Sequence, residues 1–147
     1  MPHVPDADWA TIVEHVPLVS VDLLVRQAGG LVLGKRTNDP AQGEWFVPGG
    51  TVLKNESLTD TVDRVAREEL DTTVTIESHC GTFEHFYETS DVAGVPTKHY
   101  VAQAYVVTPD APVSAADDQH TDLRVAHPPL DDPHPYVQEY VEALDWD

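Results

Sequence analysis

The chain has 147 residues, the size of one domain, and its 26 Asp and Glu against 8 Lys and Arg leave a formal charge of −18 at pH 7. That balance excludes a reader of duplex nucleic acid, which needs a basic face, and argues against docking on anionic membrane. With 41% hydrophobic residues there is enough apolar material for a packed core, so the chain is not of the apolar-poor kind that stays disordered.

Cys80 is the single cysteine, so neither an intramolecular disulfide nor a cysteine-based zinc site is available. The most apolar stretch, Pro17 to Val25, is short and carries Asp22 in its middle, which does not suit a bilayer span. The start, Met1-Pro2-His3-Val4-Pro5-Asp6, lacks the basic region and apolar run of a signal peptide, and a cytoplasmic protein is expected. Only three lysines occur (Lys35, Lys54 and Lys98), while carboxylates are spread along every segment. A distributed excess points to adaptation of the whole surface to high salt, where the screening length shrinks to about 3 Å near 1 M. The alternative is an ordinary acidic cytosolic protein.

In chain order, Asp6 to His15 has the spacing of a short helix, with Trp9, Ile12, Val13 and Val16 on one side and Asp6 or Asp8 as cap. Pro17 to Arg26 is a strand, turned at Ala28-Gly29-Gly30 into a second one over Leu31 to Leu33. A loop from Asn38 to Gly43 leads to the short strand Trp45 to Val47, which Pro48-Gly49-Gly50 ends with a turn. Ser57 to Leu70 is the clearest helix, with Ser57 as N-cap, Asp60 in its first turn and an apolar stripe of Leu58, Val62, Val65, Ala66 and Leu70. Three strands are predicted next, over Thr72 to Ile76, Thr82 to Tyr87 and His99 to Val107, then a polar loop from Ala111 to Thr121. Tyr136 to Leu144 is a closing helix entered through Pro133 and Pro135. Without repeats or a linker, residues 1–147 read as one α+β domain with a mixed sheet covered by helices.

One spacing carries chemistry. Gly50 is followed after five residues by Glu56, and after seven more by Arg64, with Glu68 and Glu69 four and five residues beyond the arginine. This resembles the Nudix box, and the resemblance implies an α/β/α sandwich with a mixed sheet. Cleavage near a diphosphate calls for a hard divalent cation held by oxygen ligands, typically Mg²⁺. Positions 65, 68 and 69 share one side of a helix, and in the full box all three are glutamates. Here position 65 is Val65, and Asp71 replaces the box glycine. With one carboxylate gone, one Mg²⁺ per site is expected, with Glu68 and Glu69 as the candidate carboxylates. Outside the box, the same pair would read as a solvated helix face.

A second resemblance spans roughly Trp9 to Arg124. Val16 to Asp22, Leu33-Gly34-Lys35-Arg36-Thr37-Asn38, Pro40-Ala41-Gln42-Gly43 and Trp45-Phe46-Val47-Pro48-Gly49-Gly50 resemble the GDP-mannose mannosyl hydrolases. So do Glu84-His85-Phe86-Tyr87, His99-Tyr100 and Asp118-Gln119-His120. That Nudix branch also lacks the glutamate after the box arginine, and it displaces a nucleoside diphosphate from the anomeric carbon of the sugar. The resemblance implies Mg²⁺ held by Glu69, the Gly49 carbonyl and Gln119, with His120 as general base near its natural pKa. Arg36 is implied as a clamp on the diphosphate, its alternative being a surface ion pair. Arg64, four residues before Glu68, would orient a carboxylate. Asp22, His85 and Tyr100 match positions near the substrate, while as strand residues His85 and Tyr100 fit a core role equally well. Asp8 and Trp9 match a segment that reaches the nucleotide of a neighbouring subunit in a homodimer. Thr51 stands where that branch has an arginine, removing one cation from the diphosphate site. Two other readings stay open: a conventional Nudix pyrophosphohydrolase attacking phosphorus, and a non-catalytic nucleotide-binding Nudix domain.

Overall fold

The computed structural model describes residues 4–113 and 123–144. Ten elements follow one another: α1 (Asp6–His15), β1 (Leu18–Gln27), β2 (Gly30–Lys35), β3 (Trp45–Phe46), β4 (Gly49–Thr51), α2 (Leu58–Leu70), β5 (Val74–Tyr87), β6 (Lys98–Pro109), β7 (Leu123–Ala126) and α3 (Pro135–Ala143). Among the described residues, no helix is long and apolar enough to cross a membrane.

The strands form one mixed sheet along the path β3-β2-β1-β6-β5, with β4 added to β1 and β7 to β2. β1 is its hub. It runs parallel to β6 from Leu18↔Tyr100 to Val25↔Val107, and antiparallel to β4 through Ser20↔Thr51, Val21↔Gly50 and Asp22↔Gly49. Its last residues turn to β2 through a two-residue hairpin, with Ala28 and Gly29 both at positive φ. Because successive side chains point to opposite faces, β1 feeds two cores. Val21, Leu23 and Val25 pack with Val62, Val65, Ala66 and Leu70 of α2, while Leu24 packs with Val137, Tyr140 and Val141 of α3. The result is an α+β fold with a helix on each face of a mixed sheet.

α2 forms as its sequence requires. Ser57 Oγ accepts from Asp60 N at 3.0 Å and the Asp60 carboxylate returns to Ser57 N, a reciprocal capping box. α3 starts with Pro135 in its first turn, and His134 Nδ1 accepts from Tyr136 N at 3.1 Å.

Four details differ from the sequence reading. Pro5, not Asp6 or Asp8, stands at the N-cap of α1, and both acids lie in its first turn, where they act on the helix dipole. Thr72–Ile76 and Thr82–Tyr87 belong to one long strand, β5, whose polar middle is absorbed by irregularities at Ile76/Ser78 and His79/Gly81. Gly49 and Gly50 extend into β4 rather than ending a turn, since β1 offers them a ladder. β7, opposite β2, was not foreseen.

Candidate functional site

Two adjoining cavities open where β1, β4 and the β2–β3 loop meet. The outer one, about 330 Å³, is lined by Lys35, Arg36, Asn38, Gly49 and Glu69 among others. The inner recess, about 80 Å³, is lined by Ser20, Asp22, Phe46, His85 and Tyr87. Arg36, Phe46, Val47, Gly49 and Tyr100 border both. The two cavities are parts of one cleft, cationic outside and aromatic within.

The backbone of β4 explains why two glycines stand here. Leu23 N donates to Pro48 O at 2.8 Å and Val52 N to Val19 O at 2.8 Å. Asp22–Gly49 and Ser20–Thr51 are therefore the non-hydrogen-bonded pairs of the ladder, and the carbonyls of Gly49 and Thr51 turn away from β1. A Cβ on Gly49 would collide with Asp22 Oδ1 and stand 2.9 Å from Val21 O. Any side chain there would displace the carboxylate from the cleft wall.

Arg64 fixes the loop before the helix. Its Nη2 donates to Thr51 O at 2.7 Å, its Nε to Glu56 Oε2 at 2.9 Å, and its Nη1 to Glu68 Oε2 at 3.3 Å. Glu56 also accepts from Leu53 N and from Thr61 Oγ1. The guanidinium holds the Glu56 carboxyl down at about 2. Glu68 is thereby drawn to the Arg64 side, exposed and outside the residues that line either cavity. Glu69, half-buried, lines the outer cavity together with Gly49. Val65 is 1% exposed and belongs to the core. Of the three box positions on this side of α2, only 69 reaches the cleft.

Asp22 is buried, and Tyr140 Oη donates a short hydrogen bond to its Oδ2. Burial pushes its carboxyl up to about 6, against the pull of the Tyr140 hydrogen bond and of Arg36. His85 is also buried, its ring stacked on Tyr136 with centroids 4.1 Å apart, and its Nε2 has no hydrogen-bond partner among the described residues. Burial pushes its imidazole down to about 4, so it is neutral at pH 7. Arg36 Nε donates to Pro40 O at 2.6 Å, which aims the guanidinium along the cleft border.

The remaining candidates fall elsewhere. Asp8 is exposed on α1 and Trp9 packs at its base with Val13, Leu18 and Tyr100; neither lines the cleft within one chain. Lys98 links Trp9 to Tyr100, its Nζ 5.4 Å from the Trp9 ring centre and 5.1 Å from that of Tyr100, paired with Asp91 at 2.7 Å. Gln119 and His120 lie outside the described residues. Sequence reasoning missed Lys35, Tyr87 and Tyr140. Tyr87 had a signal, since it stands two residues from His85 on the same strand face. Tyr140 had none, because only the packing of α3 brings it to Asp22.

Among the described residues no three His, Cys, Asp or Glu side chains gather into a metal cluster. The donors that do share the outer cavity, the Glu69 carboxylate and the outward Gly49 carbonyl, are all oxygen, as a hard divalent cation requires.

The profile of the NUDIX domain matches residues 16–146. The chain belongs to the Nudix family. A relative in Haloferax volcanii, named low-salt glycan biosynthesis protein Agl8, is 59% identical over 142 residues, covering 97% of this chain and 91% of its own. Among solved structures, the MutT protein of Methanosarcina mazei Go1 superposes with a TM-score of 0.69 at 23% identity, over 89% of this chain and 95% of that one. A UDP-X diphosphatase gives 0.66 at 15% identity, over 96% of this chain and 70% of that one. These two likenesses concern the Nudix fold. The protein is thus a Nudix hydrolase, and the Glu56–Arg64–Thr51 network is the inner brace of its Nudix box.

Proposed function

We propose that this Nudix hydrolase cleaves a nucleoside diphosphate sugar of the GDP-mannose kind at the anomeric carbon, releasing nucleoside diphosphate and free sugar. One observation carries the reading: Arg36 stands at the border between a cationic outer cavity containing Glu69 and an aromatic recess containing Asp22 and His85. A diphosphate suits the first and a hydroxylated ring the second. The name of the Haloferax volcanii relative, a glycan biosynthesis protein, supports a sugar nucleotide over a free nucleotide.

Glu69, the Gly49 carbonyl and Gln119 would hold one Mg²⁺, without Glu68, whose carboxylate pairs with Arg64 outside the cleft. Bound there, the ion supplies charge neutralisation to the departing diphosphate. Arg36 binds the same phosphates and stabilises the charge that develops as the bond breaks. His120 takes a proton from water as the water oxygen attacks the sugar carbon, and the glycosidic oxygen leaves on the diphosphate. Asp22, His85 and Tyr100 orient the ring, and a neutral His85 offers a hydrogen bond without adding charge. Arg64 orients Glu68 and keeps β4 against α2. Asp8 and Trp9 serve the neighbouring subunit of a homodimer. The enzyme works in the cytoplasm, on a surface suited to high salt.

Hydrolysis in ¹⁸O-labelled water tests the reaction. Label in the free sugar supports attack at carbon. Label in phosphate overturns it in favour of a pyrophosphohydrolase, and no turnover of any nucleotide sugar with Mg²⁺ favours a binding domain.

A further inference from the structure

We propose that Tyr140 of α3 is a positioning residue for the cleft, its hydroxyl holding Asp22 Oδ2 so that Oδ1 stays turned to Gly49 and the inner recess. Tyr140 is fully buried and lines neither cavity, so it meets no ligand itself. It reaches the site through the sheet. Asp22 is locked by its backbone between Gly49 of β4 and Ala104 of β6, which leaves only its side-chain torsions free. Tyr140 removes that freedom with one hydrogen bond to one oxygen.

The donor is itself immobile. The Tyr140 ring stands edge-on to Phe83, with centroids 4.8 Å apart and planes at 86°, and lies 5.6 Å from His85. Val137 and Val141 pack beside it, and the small Ala104 sits in the same cluster, leaving room for the tyrosine to come down on the sheet. α3 thereby sets the orientation of a carboxylate in the middle of β1, 118 residues away. A carboxylate pinned at one oxygen presents the other in a fixed direction. Such preorganisation matters most when the ligand changes shape during reaction. This rests on the proposed function for what the recess holds, but not for the contact itself.

Two measurements test it. In the ligand-free protein, Tyr140→Phe keeps the ring and removes the donor, so the ¹³Cγ resonance of Asp22 is expected to move while the far-UV circular dichroism stays that of wild type. An unmoved resonance overturns the proposal without any substrate. In steady-state kinetics on a nucleotide sugar that the wild type hydrolyses, Tyr140→Phe is expected to lower kcat roughly tenfold and change KM less than about twofold. In an Asp22→Ala background the same substitution should change kcat by less than about twofold, since the group it orients is gone. An equal loss in both backgrounds, or wild-type kcat in Tyr140→Phe, overturns the positioning role. A wild type that turns over no nucleotide sugar counts against the proposed function, and the resonance still decides the contact.

Discussion

Gly50 lies directly over Val65: a Cβ on the glycine would stand 2.8 Å from Val65 Cγ2. The strand that carries the Gly49 carbonyl thus rests on the helix position where the Nudix box has the glutamate after its arginine. A valine there seals the core under β4. The site is left with Glu69 as the one carboxylate of that helix side that reaches the cleft.

Replacing Val65 by glutamate tests this arrangement. The new carboxylate would lie under Gly50 among Val21, Val62 and Ala66, where a charge has no partner. The thermal midpoint of the metal-free protein is expected to fall by an amount equivalent to at least about 2 kcal/mol. Calorimetric titration should detect no additional Mg²⁺ site. A second site with an unchanged midpoint would show that position 65 still opens to the cleft.

Arg64 carries a pH signature. Its guanidinium keeps Glu56 at about 2, below the ordinary 4.5, so the pair stabilises the fold above pH 4.5 and the contribution is lost as pH falls toward 2. Arg64→Met is expected to cost about 2 kcal/mol at pH 7, the scale of hydrogen bonds to a charged group. The difference in melting temperature from wild type should shrink through pH 4.5 and level off near pH 2 at what the bond to Thr51 O contributes. A constant difference across that range would mean that Arg64 contributes packing and not charge.

How much of this was readable beforehand depends on how local each cause is. α2 was legible because its cap, Ser57 with Asp60, and its stripe of Val62, Val65, Ala66 and Leu70 are encoded within one segment. β5 was not, because Glu77 to Gly81 breaks the alternation and only the register with β6 carries the strand across. β7 owes its existence to β2, a partner some ninety residues away by the register Leu31↔Ala126. In the cleft, Asp22, Arg36, Gly49, Glu69 and Tyr100 came from positions matched by the resemblance. The spacing also placed Glu68 beside Glu69, but could not reveal that Arg64 draws it aside.

Glu69→Gln preserves shape and removes the negative charge from the outer cavity. Turnover is expected to fall by at least about a hundredfold at ordinary Mg²⁺, with the fold intact because the residue lies at the cleft and not in the core. Circular dichroism and an activity titration against Mg²⁺ check both halves. Wild-type turnover at saturating Mg²⁺ would remove Glu69 from the mechanism.

Asp22 should show the opposite sign from Glu56. Its carboxyl is raised from 3.8 to about 6, so the folded state holds the proton more tightly than the unfolded chain. The stabilising contribution of that proton is full below pH 3.8 and is lost as pH rises through 6. Burying the ionised form then costs on the order of 3 kcal/mol at neutral pH. Asp22→Asn, whose amide oxygen still accepts from Tyr140, is expected to melt higher than wild type at pH 7.5 in metal-free buffer. The gain should fade between pH 6 and 4. A variant less stable than wild type at pH 7.5 would mean that the ionised Asp22 is a net stabiliser.

Salt provides the last test. Five arginines and three lysines cannot neutralise 26 carboxylates, so the surface repels itself and any diphosphate ester that approaches. Added salt screens both repulsions, whereas contacts made by Arg36 within the cleft act at short range and lose less. Stability and kcat/KM are therefore expected to rise together from about 0.1 M to above 1 M KCl. An enzyme steered to its substrate by a basic surface would lose kcat/KM over the same range. Measuring thermal midpoint and kcat/KM on one preparation across the KCl series separates the two cases. A flat or falling midpoint would sink the salt-adaptation reading and leave the Nudix assignment standing.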